Sequence, residues 1–487
     1  MNYSSESQRL SEPDLRRLID KVLEQLKSDG VAQPCAGSPP PQIWTGPAIM
    51  KSKGEGIFDD LDQSVSAARA AFFQWNELSL ELRGKIIGEI RRACHGIVDE
   101  ISQLAVEETG LGRVEDKKKK NRLVIDKTPG GEILTPSVAT GDNGLCLTEY
   151  APYGVIGVIT PSTNPTETII NNSIGMLAAG NSMVFNPHPS AKRVSQKAIT
   201  TINKTIIANG GPQNMLTTVA EPSIEVAQAV MKHPGIRLLV VTGGPGVVKA
   251  AMASGKKVIA AGPGNPPVVV DETARLDQAG RDIVLGASLD NNIVCIVEKE
   301  IFVVEAVVDQ LKAEMVRHGA FEVPTRYLKR LEEVVLVDGH PNKDCIGKNA
   351  SIIAKMAGIH APEETRLLFI ETDKDHPFVH IEMLMPVISM VRVKDVHTGI
   401  REAVRAEGGR YHTAMMHSRN IDHLHAMARE VNTSIFVKNA PSYAGLGLGG
   451  EGYTSFTIAG PTGEGLTTAK NFSRVRRCTL KDHFRIV

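Results

Sequence analysis

The spacing of apolar and polar residues along this chain changes period several times, and each change marks a predicted element. Near the start, Leu15, Leu18, Ile19, Val22 and Leu26 recur at helical spacing behind Ser11 and Pro13. This predicts a short amphipathic helix with a capping serine and an early proline. The next stretch, KSDGVAQPCAGSPPPQ, is too rich in proline, glycine and serine to continue a helix and reads as a flexible linker. Helical periodicity returns in DDLDQSVSAARAAFFQWNEL and in SLELRGKIIGEIRRACHGIVDEISQLAVEETG, with Gly110 as the stop.

From Gly154 to Ala260 the apolar runs GVIGVIT, SMVFN, MLTTV, RLLVVT and KVIAA are separated by helix-like stretches such as TETIINNSIGMLAAG and KRVSQKAITTINKTII. That alternation predicts βαβ units and a parallel sheet flanked by helices. A second set of strands and helices starts at PPVVVD (266–271) and continues through RDIVLGAS, EIFVVE and VVDQLKAEMVRHG to the region around Met390. GLCLTEYAPYG at 144–154 and the C-terminal GLTTAKNFSRVRRCTLKDHFRIV offer short strand-like runs without a core of their own, suited to pairing across subunits.

Length agrees with more than one unit, because single cores stop growing at about 250–300 residues and this chain has 487. Lysine plus arginine equals aspartate plus glutamate at 55 each, so no overall field draws the protein to nucleic acid or an anionic membrane. No apolar run approaches the ~20 residues of a membrane span, and the opening MNYSSESQRL lacks a secretory core, so a cytosolic protein is expected. The six cysteines are scattered, without a CxxC pair or a metal-like grouping with histidine, which predicts reduced thiols, no metal, and room for one nucleophile.

Three places carry candidate chemistry. The turn Thr242-Gly243-Gly244-Pro245-Gly246 opens a helix, so its backbone can approach a phosphate; a plain tight turn explains it equally well. Cys295 has polar residues just before it (Asp290-Asn291-Asn292) and apolar ones around it, and burial as a small hydrophobe is the commoner fate of such a thiol. Asn164, in Ile159-Thr160-Pro161-Ser162-Thr163-Asn164-Pro165, follows a strand where α/β proteins bind ligands; it could donate to an oxyanion or simply cap a helix.

Taken in order, EYAPYGVIGVITPSTNP, SMVFNPHPSAK, VVTGGPGVVKAA, GPGNPPVVVD, LDNNIVCIVEKEIFVV, HIEMLMPVISMV and FSRVRRC resemble the CoA-acylating branch of the aldehyde dehydrogenase superfamily. The resemblance is greatest to the propionaldehyde dehydrogenases of bacterial microcompartments and runs from about residue 55 to the end. It implies an α/β, aldehyde dehydrogenase-like fold: a Rossmann-type parallel-sheet NAD-binding domain over 55–262 to which 437–462 returns, and an α/β catalytic domain over 263–436. A small strand-swapped oligomerisation element from 137–152 and 463–487 would make a dimer or tetramer.

The same resemblance makes Cys295 the nucleophile, and pairs Asn164 with the Cys295 N–H as holders of the oxyanion. It places Glu382 on the nicotinamide ribose, where the residue alone would read as a solvated carboxylate. The cofactor-binding set it implies is Thr160, Pro161, Ser162, Asn186, Pro187, His188, Thr242, Gly243, Gly244, Gly264 and Glu382. NAD is the expected cofactor with NADP not excluded, because the hydrolytic branch's Lys-Pro-Ser-Glu is replaced here by Asn186-Pro187-His188-Pro189. His188 either contacts cofactor or coenzyme A or is a surface histidine.

The hydrolytic branch also carries a glutamate base in an ELGG motif, where this chain has Ala261-Gly262-Pro263-Gly264-Asn265-Pro266. Without that carboxylate a thioester should outlast water and wait for the more acidic thiol of coenzyme A. The expected enzyme is thus a CoA-acylating, NAD-dependent aldehyde dehydrogenase for propionaldehyde or a similar short aldehyde. A hydrolytic aldehyde dehydrogenase and a non-catalytic shell-associated scaffold are the rivals. The N-terminal helix mixes Asp14, Arg16, Arg17, Asp20, Lys21 and Glu24 on its polar face, which disfavours a basic membrane anchor and favours docking in a groove, with a frayed terminus or a self-associating tail as the alternatives. It resembles the encapsulation peptides that carry such enzymes to microcompartment shells, with a shell protein as the partner of residues 11–27.

Overall fold

The structure, a computed structural model, describes residues 55–487; the predicted amphipathic helix and its linker lie outside them. Two all-parallel sheets organise the described chain. The first has six strands, in the spatial order Ile57–Phe58, Leu216–Val219, Ser182–Pro187, Val155–Thr160, Leu238–Thr242 and Lys257–Ala261. Its strands are short runs rich in β-branched residues, and Val155–Thr160 is buried along its whole length. Burial on both faces is what a sheet covered by crossover helices requires. The helices Pro165–Ala178, Lys192–Ala208, Ile224–Lys232 and Pro245–Met252 make those crossovers.

Leaving aside the short edge strand Ile57–Phe58, the chain order across this sheet is third, second, first, fourth, fifth. The direction of winding therefore reverses between Val155–Thr160 and Leu238–Thr242. In such sheets a crevice opens beyond the carboxyl ends of the two strands at the reversal, and ligands bind there.

Three helices pack outside the first sheet: Leu61–Glu77, Leu80–Gly96 and Val98–Thr109. Asp60 and Ser79 cap the first two, accepting from the N–H of Gln63 and Leu82, and Gly110 ends the third in the left-handed conformation (φ 69°).

The second sheet has seven parallel strands: Ala320–Glu322, Leu367–Thr372, Val387–Val393, Glu300–Val304, Pro267–Val270, Thr413–His417 and Ile435–Lys438. The run RDIVLGAS falls largely in the helix Leu276–Ala287 beside it. After the last strand the chain returns to the first sheet, where Phe456 N–H donates to Asn171 Oδ1 (3.1 Å) and Ala260 N–H to Thr462 Oγ1 (3.0 Å).

A third sheet is antiparallel, ordered Ser137–Gly141, Gly144–Pro152, Ser473–Lys481. The two strand-like runs noted in the sequence thus pair with each other inside one chain, and among the described residues Ser473–Lys481 keeps its other edge open and most of its residues exposed. Among the described residues no helix is long and apolar enough to cross a membrane, and no group of histidine, cysteine, aspartate and glutamate side chains is arranged to hold a metal.

Candidate active site

The crevice at the winding reversal opens into a cavity of about 620 Å³. Thr160, Pro161, Ser162 and Asn164 enter it from the end of the first strand, and Asn186, Pro187 and His188 from the second. Thr242, Gly243 and Gly244 come from the turn before the helix Pro245–Met252. The second sheet's side contributes Cys295 and Glu382, so one cavity spans the two α/β units. Of the residues singled out in the sequence only Gly264 is not in its wall. It stands directly behind, where its N–H donates to Glu382 Oε1 (3.3 Å) and a side chain would overlap the Cys295 carbonyl.

The segment before Cys295 has an unusual backbone. Asp290, Asn291 and Asn292 are all left-handed, with φ of 48°, 53° and 66°. Aspartate and asparagine tolerate this region better than other side-chain-bearing residues, and here each side chain is tied down. Asp290 Oδ1 accepts the N–H of Arg113 (2.7 Å). Asn291 donates to Gly347 O (2.8 Å) and Asn349 Oδ1 (2.9 Å). Asn292 donates to Ala287 O (2.7 Å) and Glu298 O (2.9 Å), and accepts from Lys299 Nζ through both its carbonyl and its amide oxygen (2.8 and 2.7 Å). Strain of this kind persists where the surroundings over-determine it.

Asn164 occupies the N-cap position of the helix Pro165–Ala178, yet its side chain makes no capping bond. Its backbone oxygen receives the Thr168 N–H (3.1 Å), while its amide is engaged elsewhere. Lys120 Nζ donates to Asn164 Oδ1 at 2.6 Å, and Asn164 Nδ2 donates to Thr163 Oγ1 at 3.2 Å. Lys120 belongs to the helix Val114–Lys127, which carries a run of four consecutive lysines. Lys118 and Lys119 do face outward, but Lys117 and Lys120 are buried with Glu167 and Asp290. Lys120 Nζ lies 2.6 Å from Asp290 Oδ2 and 3.0 Å from Glu167 Oε1, and Lys117 Nζ lies 3.1 Å from Asp290 Oδ2.

Burial sets the protonation of the site. It pushes the Cys295 thiol up to about 12; the Glu382 carboxylate adds to that, and the ammonium groups of Lys299 and Lys120 oppose it. Glu382 is itself raised by burial, against Lys299 and the Gly264 N–H. Burial pulls Lys299 and Lys117 down. It would also pull Lys120 down, but Asp290 and Glu167 outweigh it and leave that ammonium raised. His412, packed behind Gly264, is held down to about 4 by burial and by Lys299, so it is neutral at physiological pH, and its buried Nε2 has no hydrogen-bond partner among the described residues. Sequence patterning did not reveal Lys120, Lys299 or His412.

The cavity fits a nicotinamide dinucleotide. Gly244 and Gly246 leave open space where side chains would otherwise project, at the start of the helix Pro245–Met252 whose N–H groups suit a phosphate. Thr160 Oγ1 and Asn186 Oδ1 are buried on the cavity's other lip without a partner among the described residues. Both are groups that a ribose or amide would satisfy. His188 lines this end, is exposed, and accepts the Ser190 N–H on Nδ1 (3.2 Å), so it is a surface residue that also borders the cavity.

The sequence profile of the aldehyde dehydrogenase family matches residues 48–320. An acetylating acetaldehyde dehydrogenase of Salmonella typhimurium is 52% identical, over 89% of this chain and 94% of its own. Among solved structures, the propionaldehyde dehydrogenase of Rhodopseudomonas palustris with bound propionyl-CoA is similar with a TM-score of 0.86 and 49% identity, covering 88% of this chain and 96% of that one. The propionaldehyde dehydrogenase from the fucose utilisation microcompartment of Clostridium phytofermentans gives 0.87 and 44%, covering 89% and 100%.

Proposed function

The chain belongs to the aldehyde dehydrogenase family, and we propose that it oxidises a short-chain aldehyde such as propionaldehyde and passes the acyl group to coenzyme A through a thioester on Cys295. One observation carries the choice of acyl transfer over hydrolysis. Ala261, Gly262 and Pro263 form the cavity wall where a hydrolytic enzyme would present its base, and among the described residues Glu382 is the sole acidic one lining the cavity. Glu382 accepts from the Gly264 backbone, so the thioester faces little that would activate water.

The steps follow from the placement of the groups. Cys295 releases its proton to solvent water and its sulfur adds to the aldehyde carbon, turning the carbonyl oxygen into an alkoxide. Asn164 Nδ2 and the Cys295 N–H donate to that oxygen, the stabilisation that matters most in acyl transfer. A nicotinamide dinucleotide held by Thr160, Asn186 and the turn 242–246 would supply the hydride acceptor that converts the thiohemiacetal to a thioester. The thiol of coenzyme A, as thiolate, then adds to the thioester carbonyl under the same two donors. The carbon–sulfur bond to Cys295 breaks, acyl-CoA leaves, and the departing Cys295 thiolate takes a proton back from water. NAD is the cofactor assigned; the missing lysine and glutamate at 186–189 leave NADP as the alternative, decided by initial rates with each.

The deciding experiment mixes purified protein with propionaldehyde and NAD and follows reduced nicotinamide with and without coenzyme A. Sustained turnover only with coenzyme A supports acyl transfer. Equal turnover without it makes the enzyme hydrolytic. A Cys295→Ala protein indistinguishable from wild type makes it a scaffold.

We assign residues 11–27 to docking on a microcompartment shell protein, supported by their amphipathic pattern and by the microcompartment origin of one structural relative. The open edge of Ser473–Lys481 supports a homo-oligomer, dimer or tetramer, which light scattering would measure.

A further inference from the structure

We propose that Lys120 is a positioning residue for the oxyanion amide: its ammonium fixes the direction in which Asn164 presents its N–H groups, and Asp290 ties that ammonium to the turn ahead of Cys295. The inference rests on the oxyanion role proposed above for Asn164.

An amide in a cavity wall can sit either way round, and only one way offers donors to an alkoxide. A lysine ammonium has donors and no acceptor. With Lys120 Nζ 2.6 Å away, the atom of Asn164 facing it must be the carbonyl oxygen. The NH2 group is thereby turned to the opposite side, where one N–H meets Thr163 Oγ1 at 3.2 Å and the other remains for the cavity. A bond from a cation to the amide oxygen also withdraws charge from the nitrogen and strengthens its N–H groups as donors.

The setting argues against a purely structural lysine. Lys117, Lys120, Glu167 and Asp290 are each no more than 1% exposed. Burying such a set is costly, and apolar residues of similar volume commonly serve stability as well or better. A buried charged cluster beside a reacting position is where function tends to be found. This one has its two ends on the reacting groups. Lys120 holds the amide, and Asp290 Oδ2, 2.6 Å from the same ammonium, belongs to the left-handed turn that leads to Cys295. The donor and the nucleophile thus share one ion pair as a common reference point.

The test is a kinetic cycle on the full chain with propionaldehyde, nicotinamide cofactor and coenzyme A. Asn164→Ala is expected to lower kcat by about 100-fold or more, the usual loss of one oxyanion donor. Lys120→Met, which keeps the volume and removes the charge, should lower kcat by a comparable factor, with KM for the aldehyde changing by less than about threefold. In the Asn164→Ala background, Lys120→Met should then cost far less than in the wild type, because both changes remove the same interaction and only the lysine's effect on the Cys295 thiol remains to be lost. The charge-balanced pair Lys120→Met/Glu167→Gln, leaving Lys117 facing Asp290, should show the same kcat loss and provides the answer if Lys120→Met alone does not fold. Wild-type kcat in the lysine variants, or losses that multiply with that of Asn164→Ala, overturns the proposal. Wild-type kcat in Asn164→Ala itself overturns the oxyanion reading beneath it, a separate outcome.

Discussion

Gly264 is packed against the carbonyl of Cys295 with no room for a side chain, and the ring of His412 borders the same space. Gly264→Ala must therefore displace the nucleophile's backbone. Since a misplacement of ~1 Å can cost about 100-fold, the variant should lose at least about tenfold in kcat while its circular dichroism spectrum stays that of the wild type. Retention of full turnover would show that the nucleophile tolerates movement.

The thiol of Cys295 is pushed up to about 12 by burial. In the ligand-free enzyme its alkylation by iodoacetamide should consequently rise close to tenfold per pH unit from 7 to 10 without a plateau. Lys299→Met removes one of the opposing ammonium groups and should slow alkylation at every pH. A plateau near pH 8, measured by mass spectrometry of the Cys295 peptide, would mean an already activated thiolate.

Glu298 is fully buried, accepts the N–H and hydroxyl of Ser442 (2.8 and 2.7 Å), and is raised to about 7, chiefly by burial. Its folded value lies above its unfolded one. The stability it contributes is thus complete below the ordinary carboxylate range and is lost as pH rises through 7. The melting temperature of the wild type should fall by roughly 2–5 °C between pH 5 and pH 8 more than that of Glu298→Gln. Parallel curves for the two proteins would place the pH dependence elsewhere.

Gly112 has φ 79°, and a side chain there would overlap the Asp290 carboxylate. Gly112→Ala should destabilise the fold by about 1–2 kcal/mol from the left-handed backbone alone, and should lower turnover as well because Asp290 must shift. Loss of stability with unchanged kcat would show that this loop does not transmit to the site.

The sequence carried the sheets well and the site unevenly. Runs such as Val155–Thr160 and Leu238–Thr242 are legible because a strand buried on both faces must be apolar throughout. Asn164 and Cys295 stand out through the motifs around them, and the structure brings both to one cavity. For Asn164 the helix-cap alternative gives the position and not the bond: the residue stands at the N-cap of Pro165–Ala178, but its side chain makes no capping bond. The helix Val114–Lys127 escaped because four consecutive lysines look solvated. The available signal was the spacing of Val114, Lys117, Asn121 and Val124, three to four apart on one face, with Lys120 beside Asn121 on its buried side. What decides that a lysine can be buried is the carboxylate it meets, and for Lys117 and Lys120 that partner is Asp290, some 170 residues on. Lys299 and His412 were hidden for the same reason, since their meaning lies in contacts made across the fold.

The left-handed triplet Asp290–Asn292 sets how this site can change. If every position of the cavity and its supporting turn were randomised and selected for activity, 290–292 should return little besides aspartate, asparagine and glycine, because few other residues accept that backbone. Phe456 and Ile458 in the cavity wall have no such backbone and bear no such restriction of chemistry. Adaptation to longer or bulkier aldehydes is therefore channelled to those apolar positions, while the turn that aims the nucleophile stays fixed.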